Sequence, residues 1–292
     1  MTGAAAATTI DQALAAAVAK LAAAGIADPR LDARVLAIAA LDTTREFLLA
    51  HGDGALAPAA AARLAVYVTR RAGGEPVARI LGRKEFWSLE FEVTADTLIP
   101  RPESETAVEA ALALVADRQA KLELLDLGTG SGCLLLALLS ELANGRGMGI
   151  DISPGAVAVA SRNAARLGLA ARARFVVADF ADHLPDVVAN SFDLILSNPP
   201  YIVEREIDGL SREVAQYEPR AALSGGQDGL HAYRVLATAL PGLLAPRGQA
   251  VLEIGQGQAD AVVAIMAASG LVLAAQHGDL AGITRVLVVN RG

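Results

Sequence analysis

The sequence predicts an α/β protein in which a small helical bundle precedes a doubly wound, parallel sheet. Residues 9–72 carry apolar side chains every three or four positions, which is the period of packed amphipathic helices. From residue 121 onward, short apolar strands alternate with helices, and this alternation is typical of βα units. The length of 292 residues is large enough for one large domain or two unequal ones.

The first part is rich in alanine, and four helices are predicted in it. The first helix carries Ile10, Leu14, Val18 and Leu21 on one face and ends at Gly25. The residues predicted to begin the next three are the N-cap Asp28 with Pro29, then Thr43 or Thr44, and Pro58. We therefore expect residues 1–78 to form a helical domain.

A different pattern begins at residue 79. Apolar and polar side chains alternate here, as in a β-hairpin, and the apolar members are Phe86, Trp87, Leu89, Phe91 and Val93. We expect residues 79–98 to form a hairpin linker. The proline-bracketed loop 98–105 then leads into a helix predicted over 106–118.

The remaining residues, 99–292, form the predicted α/β domain. Its strands are expected at 122–127, 147–152, 174–178, 194–197, 250–254, 271–275 and 284–290. Helices are expected at 134–142, 154–167 and after the strand at 250–254. In sheets of this kind, ligands bind at the carboxyl ends of the strands.

Composition excludes several classes of protein. The net charge of −7 disfavours a general nucleic-acid binder, although arginines cluster near residues 70–84. The longest uncharged stretch is interrupted by Gly270 and His277, so no membrane span is expected. A single cysteine, Cys133, excludes an internal disulfide and favours a reducing cytoplasm, and with four scattered histidines it gives no metal-ligand spacing.

A glycine-rich loop joins the first strand to the next helix. It comprises Gly128, Thr129, Gly130, Ser131 and Gly132, and the glycines let the backbone approach a ligand closely. Asp151 ends the second strand, where an acid typically binds a ribose diol. The dinucleotide fingerprint would have a third glycine at position 133, where this chain has Cys133. A nucleoside ligand without a pyrophosphate fits better, and S-adenosylmethionine is the common one.

Two residues follow the third strand, and each has two interpretations. Asp179 either accepts a hydrogen bond from an adenine amino group or is a turn or helix-cap acid. Phe180 either stacks on the adenine or belongs to the core.

The tetrad of Asn198, Pro199, Pro200 and Tyr201 is predicted to form the catalytic and substrate-binding site. Two prolines must end the preceding strand, because neither has an N–H and each fixes φ. The side-chain oxygen of Asn198 and the carbonyl of Pro199 can accept both N–H groups of a conjugated amino group. Tyr201 would lie flat against that planar group. Positioning of this kind supplies much of the catalysis in methyl transfer. The alternative is a proline turn capped by asparagine.

These residues resemble the HemK/PrmC release-factor glutamine-N5 methyltransferases, which are class I S-adenosylmethionine-dependent enzymes. The matching segments are 86–87, 98–105, 126–132, 198–201, 218–220, 225–230 and 253–255. The resemblance implies a helical N-terminal domain that docks the substrate, a β-hairpin linker, and a Rossmann-like domain with a seven-stranded sheet. Departures are Phe180, where some members have tryptophan, and Ser88, where glycine is common.

The resemblance also implies the ligands. Residues 128–132, Asp151, Phe180 and Asn198 would contact S-adenosylmethionine, which becomes S-adenosylhomocysteine, and residues 198–201 would hold the acceptor. That acceptor would be the glutamine of the Gly-Gly-Gln loop in class 1 peptide chain release factors, and its methylation would modulate translation termination.

Two other functions remain open at this point. Methylases of adenine or guanine amino groups in DNA or RNA share the Asn-Pro-Pro-Tyr tetrad. The acidic net charge, and Asn198 in a position where adenine-specific DNA enzymes often have aspartate, argue mildly against them. A non-catalytic S-adenosylmethionine-binding module would not need the intact tetrad.

Overall fold

The structure is a computed structural model, and it describes residues 8–182, 189–279 and 281–292. The chain divides into two compact units, the first ending at Gly82 and the second running from Arg83 to Gly292. Among the residues in these ranges, no helix is long and apolar enough to cross a membrane.

The first unit consists of helices. They are α1 (Ile10–Ala23), α2 (Pro29–Leu41), α3 (Arg45–Ala50), α4 (Pro58–Ala72) and α5 (Val77–Leu81). The predicted caps are present, since Asp28 Oδ1 accepts from Leu31 N at 3.0 Å and Thr44 Oγ1 accepts from Phe47 N at 3.3 Å. Apolar faces of α1, α2 and α4 pack into one core, in which Leu21, Leu36 and Leu64 are buried.

The boundary of the predicted hairpin linker is wrong at its start. Residues 79–81 end α5, which stops because Gly82 adopts a left-handed conformation with φ of 69°. The hairpin itself comprises β1 (Arg83–Phe86) and β2 (Leu89–Glu92), which pair antiparallel within the second unit. Trp87, predicted to lie in a strand, is instead in the two-residue turn with Ser88.

This turn has positive φ at both positions, 53° for Trp87 and 57° for Ser88, as a two-residue hairpin turn requires. Neither residue is glycine, so side-chain acceptors hold the backbone in place. Trp87 N donates to Glu105 Oε1 at 2.9 Å, and Ser88 N donates to Glu85 Oε1 at 2.6 Å. The indole Nε1 of Trp87 donates to Glu141 Oε1 at 3.0 Å.

The rest of the second unit is built on a seven-stranded sheet, which confirms the predicted fold class. The strands are β3 (Glu123–Leu127), β4 (Arg146–Asp151), β5 (Ala173–Val177), β6 (Phe192–Ser197), β7 (Leu244–Glu253), β8 (Leu271–Gly278) and β9 (Thr284–Arg291). Their order is β5-β4-β3-β6-β7-β9-β8. The sheet is not fully parallel, because β9 runs antiparallel to β7 and β8. The connection from β8 to β9, residues 279–283, is too short for a parallel crossover.

Helices cover both faces of this sheet. They are α6 (Glu105–Ala113), α7 (Cys133–Glu141), α8 (Pro154–Arg166), α10 (His231–Leu243) and α11 (Ala259–Ala268), whereas the short helix α9 (Arg212–Tyr217) belongs to the connection between β6 and α10. Neighbouring side chains on β3 point to opposite faces of the sheet, and each face has its own hydrophobic core cluster. Leu124 belongs to one cluster and Leu125 to the other. Helix α6 ends at Ala113, earlier than predicted, and Asp117 then caps a turn by accepting from Gln119 N at 2.8 Å.

Candidate active site

A cavity of about 480 Å³ lies at the carboxyl ends of β3, β4 and β6, which is a usual size for a small-molecule site. Most of the site residues predicted from the sequence line it. Those on its wall are Gly128, Thr129, Gly130, Ser131, Asp151, Asp179, Phe180, Asn198 and Pro200. Gly132, Pro199 and Tyr201 are not among the described residues that line it.

The glycine loop turns tightly between β3 and α7. Both Gly128 N and Thr129 N donate to Ile150 O at 2.9 Å, and this ties the loop to the end of β4. Gly132 has φ of 80°, and a Cβ there would lie 3.2 Å from the Cβ of Ala160. Gly132 therefore allows the turn and the close packing of α8, whereas the residues before it face the cavity.

Asp151 holds the glycine loop from the neighbouring strand. Its Oδ2 accepts from Gly130 N at 2.8 Å, and its Oδ1 accepts from Ser153 N at 2.9 Å. Burial raises the pKa of Asp151, and these two backbone donors oppose that rise. Each carboxylate oxygen has a second lone pair, so Asp151 can still accept hydrogen bonds from a ligand in the cavity.

A second acid, which was not predicted as a site residue, lies beneath the same loop. Asp126 is only 1% exposed, and its Oδ2 accepts from Thr129 Oγ1 at 2.6 Å. Burial raises the pKa of Asp126 to about 7, and the nearby charge of Asp151 adds to this rise. The signal in the sequence was an aspartate between two leucines at the end of the strand, directly before the glycine loop.

Asp179 and Phe180 follow β5 and lie together on the cavity wall. Asp179 Oδ1 accepts from Ala181 N at 2.8 Å, so its side chain caps a turn. Phe180 is half-buried and packs against one core of the sheet. Asp179 thus makes the contact expected of a turn acid, and Phe180 makes the contacts expected of a core residue. Both residues also border the cavity.

Asn198 follows β6 directly and meets the loop that precedes α6. Its Nδ2 donates to Ser104 Oγ at 3.2 Å, and both residues line the cavity. The strand beneath is fixed by Ser197 Oγ, which donates to Leu127 O at 2.7 Å. Asn198 and the glycine loop therefore face one space from neighbouring strands.

Tyr201, the last residue of the predicted tetrad, packs next to the core of the sheet. Its ring packs against the core cluster that contains Leu125, and a Cβ on Gly255 would lie 3.0 Å from its Cδ2. Its carbonyl accepts from Gln258 Nε2 at 3.0 Å. Burial raises the pKa of Tyr201 to about 12, so the hydroxyl stays protonated at neutral pH. Tyr201 thus packs beside Gly255 and is anchored through its carbonyl by Gln258.

Family models match both parts of the chain. One described as PrmC N-terminal domain matches residues 12–82, and one described as methyltransferase domain matches residues 118–236. A release factor glutamine methyltransferase of Rhodospirillum rubrum is 47% identical over 272 residues, 93% of this chain and 82% of that protein. One of Moorella thermoacetica is 45% identical over 262 residues, 90% of this chain and 91% of that protein.

The chain belongs to the release factor glutamine methyltransferase family. The family resemblance inferred from the motifs is thereby confirmed.

Two segments that carried the family resemblance, 98–105 and 218–220, are joined in the structure. Arg101 donates through Nη2 to Glu218 Oε1 at 2.8 Å, and Ile99 N donates to Glu218 Oε2 at 3.3 Å. The Glu218 side chain is almost fully buried. Arg101 and Pro219 both line the cavity, so this contact holds one side of its wall.

Another buried acid, Glu253, lies at the end of β7 beside the tetrad. It is 3% exposed, and burial raises its pKa to about 7. Sequence reasoning used residues 253–255 only as a family match and gave Glu253 no role. Among the residues that the structure describes, no group of three or more His, Cys, Asp or Glu side chains could hold a metal ion.

Proposed function

We propose that this chain transfers a methyl group from S-adenosylmethionine to the side-chain amide nitrogen, N5, of a glutamine. The substrate is the glutamine in the Gly-Gly-Gln loop of class 1 peptide chain release factors, and the methylation modulates translation termination. The observation that carries the proposal is membership of the release factor glutamine methyltransferase family, whose reaction needs an amide-binding residue and a methyl-donor site in one cavity. Asn198 and the glycine loop meet this need.

The cavity fits S-adenosylmethionine on three counts. The glycine loop offers a wall with few side chains, which lets a ligand approach the backbone. Asp151 keeps acceptor capacity for the ribose hydroxyls. Asp179 and Phe180 lie on the same wall, as an acceptor and an aromatic face for adenine. These residues would hold the cofactor, which supplies an electrophilic methyl group.

The acceptor is held by the tetrad. A glutamine side-chain amide has two N–H groups and a lone pair that is delocalised into its carbonyl. Asn198 Oδ1 and the carbonyl of Pro199 would accept the two N–H groups and orient the nitrogen. Pro200 contributes an apolar wall of the cavity. Tyr201, whose ring packs partly against the core, would lie flat against the planar amide.

The helical unit would serve the protein partner. We propose the helical unit, predicted as residues 1–78 and ending at Gly82 in the structure, as a docking domain for the release factor, with the hairpin as linker to the methyltransferase domain. The family model over residues 12–82 supports a distinct N-terminal module. On this proposal the partner is a protein, the enzyme acts in the cytoplasm, and nucleic acid is not the acceptor.

An assay with labelled S-adenosylmethionine tests the proposal. The acceptors are a purified class 1 release factor, the same factor with its Gly-Gly-Gln glutamine changed to alanine, and a panel of DNA and RNA. Label should enter only the unchanged release factor. Label in nucleic acid alone would mean an amino methyltransferase of bases, and label in none would favour a non-catalytic binding module.

The role of Asn198 has its own test. Asn198→Ala should abolish methyl transfer, because the acceptor loses a hydrogen-bond partner, while affinity for S-adenosylhomocysteine should fall less. The matched control is Asn144→Ala, an exposed asparagine remote in sequence from the tetrad. Equal losses of transfer and of affinity, with the affinity measured by calorimetry, would make Asn198 mainly a cofactor residue.

A further inference from the structure

A buried asparagine on α8, Asn163, joins the hairpin to the glycine loop. Asn163 is fully buried, and its Oδ1 accepts from the backbone N of Glu92, the last residue of β2, at 2.7 Å. Its Nδ2 donates to Glu92 O at 3.1 Å and to Ser131 O at 2.9 Å. One side-chain amide therefore bonds backbone groups of two segments that are distant in sequence.

These partners fix the orientation of the Asn163 amide, because a backbone N–H can only donate and a carbonyl can only accept. Both hydrogens of Nδ2 and one lone pair of Oδ1 are used. An ionised aspartate has no hydrogen for the two carbonyls, and an alanine supplies neither donor nor acceptor. A buried polar network of this kind stabilises most when every member has its partner.

Both of the joined segments border the cavity. Ser131 lines it from the glycine loop. Glu92 leads directly into residues 93–98, which we call the cover segment, and three members of that segment line the same cavity, namely Ala95, Asp96 and Leu98. Asn163 thus connects two parts of the cavity wall that come from different regions of the chain.

The cover segment has a defined conformation next to α8. Thr97 N donates to Thr94 O at 3.1 Å, and Asp96 N donates to Thr94 Oγ1 at 3.2 Å. A Cβ on Gly155, in the first turn of α8, would lie 2.4 Å from Asp96 Cγ, so the glycine leaves room for this carboxylate. The cover segment is therefore fixed in two places, by Asn163 just before its start and by the N-terminal turn of α8 at Asp96.

We propose that Asn163 is a positioning residue for cofactor binding, which holds the cover segment and the glycine loop at the spacing that S-adenosylmethionine requires. Asn163 is not among the described residues that line the cavity, so it acts through Ser131 and Glu92 and does not touch the cofactor. A wall that is already ordered lowers the cost of ordering on binding. This inference rests on the proposed function, because it assumes that the cavity holds S-adenosylmethionine.

The test is Asn163→Ala, which removes all three hydrogen bonds. We expect the Kd for S-adenosylhomocysteine, measured by calorimetry, and the KM for S-adenosylmethionine to rise about 5- to 10-fold, the scale of one hydrogen bond. The kcat at saturating S-adenosylmethionine should be unchanged, because the residues that hold the acceptor keep their contacts. An unchanged Kd would overturn the inference.

Two control variants separate positioning from a merely structural role. Arg162→Ala, at the neighbouring position of α8, breaks the 2.7 Å ion pair of Arg162 with the Glu92 carboxylate but leaves the bond to the glycine loop, so it should keep the affinity. Val262→Ala removes buried volume on α11 and should lower the melting temperature without changing the affinity. A loss of affinity in either control as large as that in Asn163→Ala would contradict the proposal.

Hydrogen exchange on the unchanged protein gives a test that needs no variant. Glu92 is not among the described residues that line the cavity, but its N–H is bonded to Asn163. Added S-adenosylhomocysteine should slow exchange at Glu92 as well as in the glycine loop, because fixing the loop also fixes Asn163. Slower exchange in the loop alone would overturn the inference. Failure of the unchanged protein to bind S-adenosylhomocysteine would instead refute the proposed function.

Discussion

The buried acid beneath the glycine loop leads to a prediction about stability and pH. Burial raises the pKa of Asp126 from 3.8 to about 7, so between those values the folded chain binds more protons than the unfolded chain. The free energy of unfolding must therefore fall as the pH rises through this window. Asp126→Asn removes the titrating group and keeps an oxygen that can accept from Thr129.

The size of the effect follows from the shift. Between pH 5 and pH 7 the unfolded carboxyl is ionised and the folded one is largely protonated, which amounts to about 1.4 kcal/mol for each pH unit. Relative to Asp126→Asn, the unchanged protein should thus lose about 3 kcal/mol of stability from pH 5 to pH 8. A constant cost of packing the asparagine would not alter this difference, because that cost does not depend on pH.

Urea denaturation of both proteins at pH 5, 6, 7 and 8 measures this pH-dependent difference in the free energy of unfolding. Trp87 is the single tryptophan and lies in the second unit, so its fluorescence reports on the unit that contains Asp126. The control is Asp260→Asn, at an exposed acid on α11, which should keep the pH dependence of the unchanged protein. A difference between Asp126→Asn and the unchanged protein that stays constant from pH 5 to pH 8 would refute the reasoning.

Three more changes test the cavity and the sheet beneath it. Asp151→Ala should weaken binding of S-adenosylhomocysteine by about 1.5–3 kcal/mol, as for a lost charged hydrogen bond, and calorimetry showing unchanged affinity would remove Asp151 from the site. Arg101→Ala should destabilise the fold by about 1–3 kcal/mol, because it removes the guanidinium that donates to the buried Glu218 carboxylate, and an unchanged urea midpoint would contradict this. Gly149→Ala should cost about 1–3 kcal/mol, because the new Cβ would lie 2.5 Å from Phe175 Cδ1; unchanged stability would show that the ring moves freely.

Much of the site could be predicted because its signals are local in the sequence. The glycine loop, Asp151 and Asn198 each stand directly at the end of a strand, and the carboxyl ends of neighbouring parallel strands meet at one edge. Once the strands were recognised, the meeting of these residues followed from the topology. Strand β9 was predicted at 284–290, but its antiparallel direction was not, because the alternation of strands and helices was extended past the point where the helices stop.

The parts that could not be predicted depend on contacts distant in sequence. Tyr201 packs beside Gly255, and its carbonyl accepts from Gln258, both more than fifty residues later in the sequence. The burial of Glu253 depends on the register of β6 against β7. Trp87 occupies the hairpin turn although Ser88 gives none of the usual glycine signal, since side-chain acceptors elsewhere hold the backbone.

The most direct test of the central claim is to locate the methyl group. A class 1 release factor is incubated with the enzyme and S-adenosylmethionine, digested, and its peptides are sequenced by mass spectrometry. We predict that the peptide with the Gly-Gly-Gln loop gains the mass of one methyl group on the glutamine, and that Asn198→Ala abolishes the gain. An unmodified glutamine, with methyl groups found instead on another residue or on added nucleic acid, would contradict the account.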